Sequence, residues 1–535
     1  MKIILFLLCC ITHAAFAQQD AWVYFADKEN VEASLQNPLT ILTQQAVDRK
    51  NLHNISIDVR DVPVSAFYIA TLKATETIAV LAKSKWMNAV HVRGTLKDIE
   101  ALFSFEFIRK IDFADRTLTD LARPNPQHNK SSVVTTTNDF VYGNAKNQTD
   151  MIQVDALHNA DYTGDGIKIA VFDSGFPNVN TLTAYKRLRD ANKFMGGYDF
   201  VDRTSAIFAY KGSSHGTRVL STMAGFIEDK FVGTAPDASY YLFRTEDATS
   251  ENPVEESYWV EAAERADSLG VHIITSSLGY NTFDNANYNY TPEEMNGSTT
   301  FISKGANIAA EKGILVVNSA GNSGNTTWRI VTAPADAPGV FTIGAVDSNG
   351  DYAFFSSRGS IFQPTQKPDV VAQGLGSFVI DETGVIVSNN GTSFSAPIIA
   401  GAIASLWQAM PTATAAQIKT FIRSSASQYE SPDDLLGYGI PNFNAALSLT
   451  LSTKVADANS IKVYPNPVSD QLYLRFPSHT KDGKLQIYNV FGQLVREQVL
   501  TKALLNIHVS ELASGLYILK IKSDNTTHSH KFIKQ

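Results

Sequence analysis

Asn390-Gly391-Thr392-Ser393-Phe394-Ser395-Ala396-Pro397 places a serine between a glycine turn and an apolar run, Phe394 to Met410, that is expected to be a helix. Pro397 is expected near the first turn, where a missing N–H costs little. A serine at a helix N-terminus faces free backbone N–H groups and the positive end of the helix dipole. That environment suits both a hydroxyl nucleophile and the oxyanion it would create. The same run also reads as an ordinary helix cap, so its meaning depends on the rest of the chain.

Two other segments supply what a hydroxyl nucleophile needs. Ile169-Ala170-Val171-Phe172-Asp173-Ser174-Gly175 is a short β-type run ending in an aspartate and a glycine turn. Ser214-His215-Gly216-Thr217-Arg218-Val219 puts a histidine before a helix-like stretch. A base must take the serine proton, and an acid must fix the tautomer of that base. The candidates follow one another as Asp173, His215 and Ser393.

These segments, with Ser319-Ala320-Gly321-Asn322-Ser323-Gly324, resemble the motifs of subtilisin-like serine proteases, the subtilases. Weaker echoes are Phe355-Ser356-Ser357-Arg358-Gly359, Lys367-Pro368-Asp369-Val370-Val371-Ala372 and Gly437-Tyr438-Gly439. The resemblance spans about 151–448 and implies a serine endopeptidase. Asp173, His215 and Ser393 would be its triad and Asn322 its oxyanion-hole donor. Ser277-Leu278-Gly279 resembles the segment that pairs with an extended substrate backbone, and strand addition of that kind gives affinity with little sequence preference. Ser319, Ala320 and Gly321 would line the pocket for the residue before the cut bond, and their small size would admit a large apolar side chain. Departures are Arg218, the stretch Leu220 to Thr222, and Phe394 after the serine; none removes a reactive group.

A catalytically dead binding protein is disfavoured because every reactive position is filled. An esterase or acyltransferase is disfavoured because Gly391-Thr392-Ser393-Phe394-Ser395 lacks the second glycine of the Gly-x-Ser-x-Gly elbow.

From 151 to 448 strand-like runs alternate with helix-like ones. Ile167–Phe172, Tyr240–Phe243, Ile273–Ser276, Ile314–Asn318 and Phe341–Gly344 are expected as buried strands. Tyr258–Leu269 and Ile302–Lys312 are expected as helices. The fold class is therefore α/β, a mostly parallel, subtilisin-like sheet flanked by helices. The candidate catalytic groups fall where strands end and helices begin, the usual place for a site in such a sheet.

The chain has 535 residues, 44% of them apolar, and a net charge of −8. A mildly acidic chain with no basic run argues against nucleic acid as a partner. Residues 1–17 read as a secretory signal peptide, with Lys2 before an apolar run and cleavage expected after Ala17. That run is too short to span a membrane, and no later segment is expected to do so. Both cysteines, Cys9 and Cys10, lie inside it, so the mature chain must be held by its core rather than by disulfides.

Residues 18–130 read as a small α+β domain. Trp22–Phe25, Ile57–Val59, Ala66–Ile69, Ala89–Val92 and Phe103–Ile111 are expected as strands and Thr75–Ser84 as a helix. By the same resemblance this domain is an inhibitory propeptide, so the enzyme would be made as a zymogen. Thr117 to Asn147 is polar and reads as exposed; residues 131–150 are expected as a linker, and 449–460 as a second one. Residues 461–535 alternate short strands with Gly and Pro turns, which implies a β-sandwich. The opening Tyr464-Pro465-Asn466-Pro467 and the close Gly515-Leu516-Tyr517 resemble the C-terminal sorting domain of the type IX secretion system of Bacteroidetes. That resemblance implies an outer-membrane translocon as a partner and a secreted or cell-surface location.

No metal site is expected. Asp161-Tyr162-Thr163-Gly164-Asp165-Gly166 lacks the full ligand spacing of a calcium loop and reads as a turn. The chemistry needs no cofactor; a structural calcium ion is left open, with no ligands assigned.

Overall fold

The computed structural model describes residues 18–120, 140–449, 462–475, 483–500, 506–523 and 526–535. The signal peptide, residues 131–139 of the first linker and residues 450–460 of the second lie outside these residues. The chain divides into two compact units, the first ending at Leu447 and the second starting at Ser448.

The first unit opens with an antiparallel sheet of β1 (Gln18–Phe25), β2 (Ala79–Ser84), β3 (Ala89–Thr95) and β4 (Ile108–Phe113), in the order β2-β3-β1-β4. Side chains alternate across it, as the strand period of two requires. Ala21, Val23 and Phe25 face a core closed by Leu72, Ile99 and Leu102. Trp22 points the other way and stacks on Phe301, with ring centroids 5.0 Å apart.

Four local expectations fail here, in whole or in part. Ala66–Lys73 is a helix rather than a strand, capped by the Ser65 hydroxyl accepting from Tyr68 N–H at 3.2 Å. The expected helix at Thr75–Ser84 is instead β2, whose pairing to β3 slips between Val80 and Ala82. Ile57–Val59 leads into a single 3₁₀ turn, Val59–Asp61, capped by Asp58. The strand expected at Phe103–Ile111 starts late, at Ile108, because Leu102–Ser104 is a 3₁₀ turn and the Ile108 N–H closes another turn onto the Phe105 carbonyl at 3.0 Å.

Seven parallel strands form the centre of this unit. β5 is Lys168–Asp173 and β6 is Phe194–Asp199; a two-residue hairpin, β7 (Phe226–Ile227) with β8 (Phe231–Val232), lies outside the sheet. β9 (Ser239–Arg244), β10 (Ile273–Ser276), β11 (Leu315–Ser319), β12 (Phe341–Val346) and β13 (Val370–Gln373) complete it, in the order β13-β12-β11-β10-β5-β9-β6. β5 shows why its sequence reads as a continuous apolar run: Ile169 and Val171 enter one core, Ala170 and Phe172 the other. The helices His215–Ala224 and Thr392–Gln408 cover the first face, and Val254–Ser268 and Phe301–Glu311 the second. Every residue of Thr392–Gln408 is buried, as a helix apolar on all sides must be. This helix starts two residues earlier than expected, so Pro397 falls beyond the first turn.

A hairpin of β14 (Ser377–Ile380) and β15 (Ile386–Asn389) leads into that helix. Residues 140–150, expected as linker, are held against the first unit: Asn144 N–H donates to the Lys230 carbonyl at 2.8 Å, and the Tyr142 hydroxyl meets His158 Nδ1 at 2.6 Å.

The second unit holds two antiparallel sheets. One is β16 (Lys462–Tyr464), β17 (Gln471–Arg475) and, after β18 (Gly483–Asn489) and β19 (Leu494–Leu500), β20 (Asn506–His508). β19, β18, β21 (Gly515–Ser523) and β22 (Thr526–Lys534) form the other. Leu472, Leu474 and Ile507 from one sheet share a core with Leu485, Ile487, Leu519 and Ile521 from the other.

Candidate active site

Asp173 closes β5 and is fully buried. Ser174 N–H donates to its Oδ1 at 2.8 Å. His215 opens its helix, and Nδ1 lies 2.8 Å and 3.0 Å from the two Asp173 oxygens. With Nδ1–H donating to the carboxylate, Nε2 of the neutral ring is left as a proton acceptor. Burial opposes a charge on His215, but the Asp173 charge and hydrogen bond outweigh it and raise its pKa above the ordinary value. Gly216 is required here: a Cβ would stand 2.6 Å from the Gly175 carbonyl oxygen and 2.9 Å from the Asp173 Cβ.

Ser393 is the second residue of its helix and is 9% exposed. Its neighbour Phe394 sits beside the imidazole, ring centroids 5.9 Å apart. Among the described residues no hydrogen bond joins Ser393 Oγ to His215, and such bonds are often long before substrate binds. Gly391 ahead of the helix has φ 150°, on the edge of the range that favours glycine.

Asn322 is oriented from one side. Its Oδ1 accepts from Thr392 N–H at 2.9 Å and from the Thr392 hydroxyl at 3.0 Å. Both bonds fix which amide atom is oxygen, and so leave the NH₂ group for another acceptor. Nδ2 lies 3.7 Å from where a Gly391 Cβ would be, on the approach to Ser393.

The segment Ser277-Leu278-Gly279 follows β10. The Ser277 hydroxyl donates to the Ser393 carbonyl at 2.9 Å, and Asn318 Nδ2 donates to the Leu278 carbonyl at 2.9 Å. A Cβ on Gly279 would meet Thr332 Oγ1 at 2.2 Å. After β11, Ser319 and Ala320 are buried, Ala320 packing with Val331 and Ala335. Gly321 has φ 102°, and its N–H donates to Thr392 Oγ1 at 3.2 Å. The structure thus brings the ends of β5, β10 and β11 to the N-termini of the His215 and Ser393 helices.

The Subtilase family model matches residues 164–439. The chain is a subtilase. It is 33% identical over 297 residues to subtilisin E of Bacillus subtilis (strain 168), covering 55% of this chain and 69% of that protein. It is 32% identical over 297 residues to subtilisin of Bacillus pumilus, covering 55% of this chain and 96% of the relative. A Peptidase S8 propeptide domain of the Bacteroidota kind matches residues 20–132, and a secretion system C-terminal sorting domain matches residues 462–535. This subtilase is a serine-type endopeptidase, made as a zymogen with a type IX sorting tail that marks it for export to the medium or the cell surface. Among the described residues no helix is long and apolar enough to cross a membrane.

The sequence reading missed a group of acids beside this site. Glu246, Glu251 and Glu255 bring one oxygen each within 4.8 Å of one another. Tyr280, directly after Gly279, donates its hydroxyl to Glu246 at 2.5 Å. Burial and mutual repulsion push Glu246 well above the carboxylate range; burial pushes Glu251 to about 7 and Glu255 to about 8. Both Glu255 oxygens already accept backbone N–H groups, of Asp247 and Asn252, at 2.8 Å. Three carboxylates could receive a cation, but the group is unspecific and no calcium site is assigned to it. No local sequence pattern announces this group, because Glu246 and Tyr280 meet only through the fold. The Asp161–Gly166 loop is a turn whose Gly164 and Asp165 N–H groups donate to Gln408 Oε1 at 2.7 Å and 3.0 Å.

Proposed function

We propose that this subtilase cleaves peptide bonds with Asp173, His215 and Ser393 as its triad and Asn322 as the side-chain donor of its oxyanion hole. Ser393 Oγ attacks the scissile carbonyl carbon while His215 Nε2 takes its proton. The C–N bond breaks as the histidine returns that proton to the leaving amine, and water hydrolyses the acyl-enzyme by the same route. Asp173 holds the ring and balances the imidazolium. The oxyanion meets the Ser393 N–H, which a helix start leaves free, and Asn322 Nδ2. The observation that supports this reading most is the bond from His215 Nδ1 to the buried Asp173, 2.8 Å long, which presents Nε2 as a base.

Ser277, Leu278 and Gly279 would pair with the substrate backbone, and Ser319, Ala320 and Gly321 would bound the pocket before the cut bond. Substrates are proteins or peptides. The domain of residues 18–130 acts as inhibitor until it is cut from the peptidase domain, residues 151–448, within the linker. The sandwich of residues 461–535 is read by the secretion translocon after the signal peptide has been used. Labelling with a serine-directed phosphonate tests the core of this reading. The wild-type enzyme should be labelled at Ser393 and lose activity together with free serine; activity in a folded Ser393→Ala protein would overturn the assignment.

A further inference from the structure

Arg218 follows His215 by one turn of the same helix and departs from the usual subtilase pattern. Its guanidinium donates to Glu382 Oε2 from Nη2 at 3.0 Å and from Nε at 3.3 Å, and to Asn389 Oδ1 from Nη1 at 3.3 Å. Glu382 stands in the tip of the β14–β15 hairpin, and Asn389 ends β15, four residues before Ser393. The tip is itself fastened around the histidine. Asn178 Nδ2 donates to the Glu382 carbonyl at 2.9 Å, and the Glu382 carboxylate shares a hydrogen bond with Ser214, the residue before His215. One turn further along the helix, Ser221 Oγ accepts from Ile380 N–H at 2.9 Å. Side-chain exposure of the ion pair is 29% for Arg218 and 33% for Glu382, so solvent screens it and its contribution to stability is small.

We propose that Arg218 and Glu382 are a positioning pair for His215: Arg218 ties the first turn of the histidine's helix to the strand that delivers Ser393, and Glu382 cancels the guanidinium charge beside the imidazole. The inference rests on the triad reading above. The groups around the ring separate by sign. Asp173 on β5 favours the imidazolium, while Arg218 on the histidine's own helix opposes it. Glu382 on the hairpin tip holds its negative charge through its own backbone N–H, Ser214 and Arg218. Lys211, on the loop leading to the helix, is engaged with Asn178 Oδ1 at 3.2 Å. Asp381, on the same hairpin tip, also feels the Arg218 charge, and Glu382 is the carboxylate hydrogen-bonded to the guanidinium.

The acid limb of kcat/KM reports the free enzyme's essential base, so it reads this balance directly. Glu382→Gln leaves the guanidinium uncompensated and should move the limb to lower pH, by on the order of half a pH unit at low salt. Arg218→Gln should move it to higher pH by a similar amount. Arg218→Lys keeps the charge but not the fork, and should lower kcat with the limb in place. In about 1 M salt both shifts should shrink, because the pair is partly exposed. Thermal unfolding checks that each variant is folded. Limbs that stay in place in both glutamine variants, or that move in the same direction, would overturn the pairing. An active Ser393→Ala enzyme would instead overturn the triad reading, so the two failures are distinguishable.

Discussion

The Ser277 hydroxyl donates a hydrogen bond of 2.9 Å to the carbonyl of Ser393. The bond has a cause further along the helix. A carbonyl in an α-helix normally receives the N–H four residues on, and for Ser393 that residue is Pro397, which has none. Proline therefore frees the carbonyl of the serine residue itself, and the residue directly after β10 supplies a donor. Ser277→Ala would leave this buried carbonyl without that donor, at about 1–3 kcal/mol. We expect a lowered unfolding temperature and a turnover number reduced by about tenfold, with KM less affected. Thermal scans and peptide kinetics on the variant check this; unchanged turnover would mean that Ser277 does not position the nucleophile.

Thr392 and Asn322 make the second prediction. Asn322→Ala should lower kcat by about 10²–10³-fold, the loss that removing one oxyanion donor brings in subtilisin, with a smaller change in KM. Thr392→Val keeps the backbone N–H bond to Asn322 Oδ1 but removes the hydroxyl one, so it should lose much less, on the order of tenfold. Kinetics of both on one peptide substrate rank the effects; equal losses would show that the hydroxyl alone orients the amide.

Much of this was legible in the sequence where one physical signal dominates. β5, β10, β11 and β12 are buried on both faces, and such strands read as apolar runs of nearly the right length. β6 and β13, at the two edges of the sheet, escaped: Gly196 and Gly197 interrupt one, and the other is only Val370–Gln373. In the N-terminal domain, Ala66–Ile69 and Thr75–Ser84 were exchanged between helix and strand because runs this short carry no decisive period. The Ser65 cap and the hairpin pairing of β2 to β3 settle them. The three side chains proposed as the triad each sit in a local motif, which is why the sequence points to them. Ser277 on Ser393, Thr392 on Asn322 and Tyr280 on Glu246 join residues far apart in the chain, so no local pattern shows them.

The acids Glu251 and Glu255 give a pH dependence of stability. Burial raises the Glu251 carboxyl from 4.5 to about 7. Between those values the folded state holds a proton that the unfolded state has released, so stability falls as pH rises from about 4.5 to about 7 and then levels off. Glu255 extends the fall to about 8. Glu251→Gln removes its share and should flatten this part of the curve. Unfolding temperatures from pH 4.5 to 8.5, measured on a Ser393→Ala background to stop autolysis, test it; an unaltered slope would mean Glu251 is ionised throughout.

A buried charge lattice joins the N-terminal domain to the peptidase layers. Lys50 Nζ lies 2.9 Å from Asp267 and 3.2 Å from Asp61, and Lys312 Nζ lies 2.7 Å from Asp61, all with fully buried side chains. Lys50 and Asp61 belong to the N-terminal domain, Asp267 and Lys312 to the peptidase helices and the turn after them. Removing one partner leaves buried charge uncompensated, typically at about 3–5 kcal/mol. Lys312→Met should therefore lower the unfolding temperature of the uncut Ser393→Ala chain by several degrees and weaken inhibition by the N-terminal domain. Activity of the cut enzyme should change little. Calorimetry of the uncut chain and inhibition by the added domain check both halves; an unchanged uncut chain would show that the lattice does not hold the domain in place.

Residues 462–535 carry none of the groups assigned to catalysis, and their sheets close on a core of their own. Deleting them should leave hydrolysis of a small peptide by the refolded or periplasmic enzyme nearly intact. Export should fail, because the sorting domain is the part addressed to the translocon, and the host should retain the truncated chain in its periplasm. Fractionation with an activity assay separates the two effects. Normal amounts of truncated enzyme in the medium or at the cell surface would show that export does not depend on this sandwich. Loss of peptide hydrolysis in the folded truncation would show that the sandwich supports the active site.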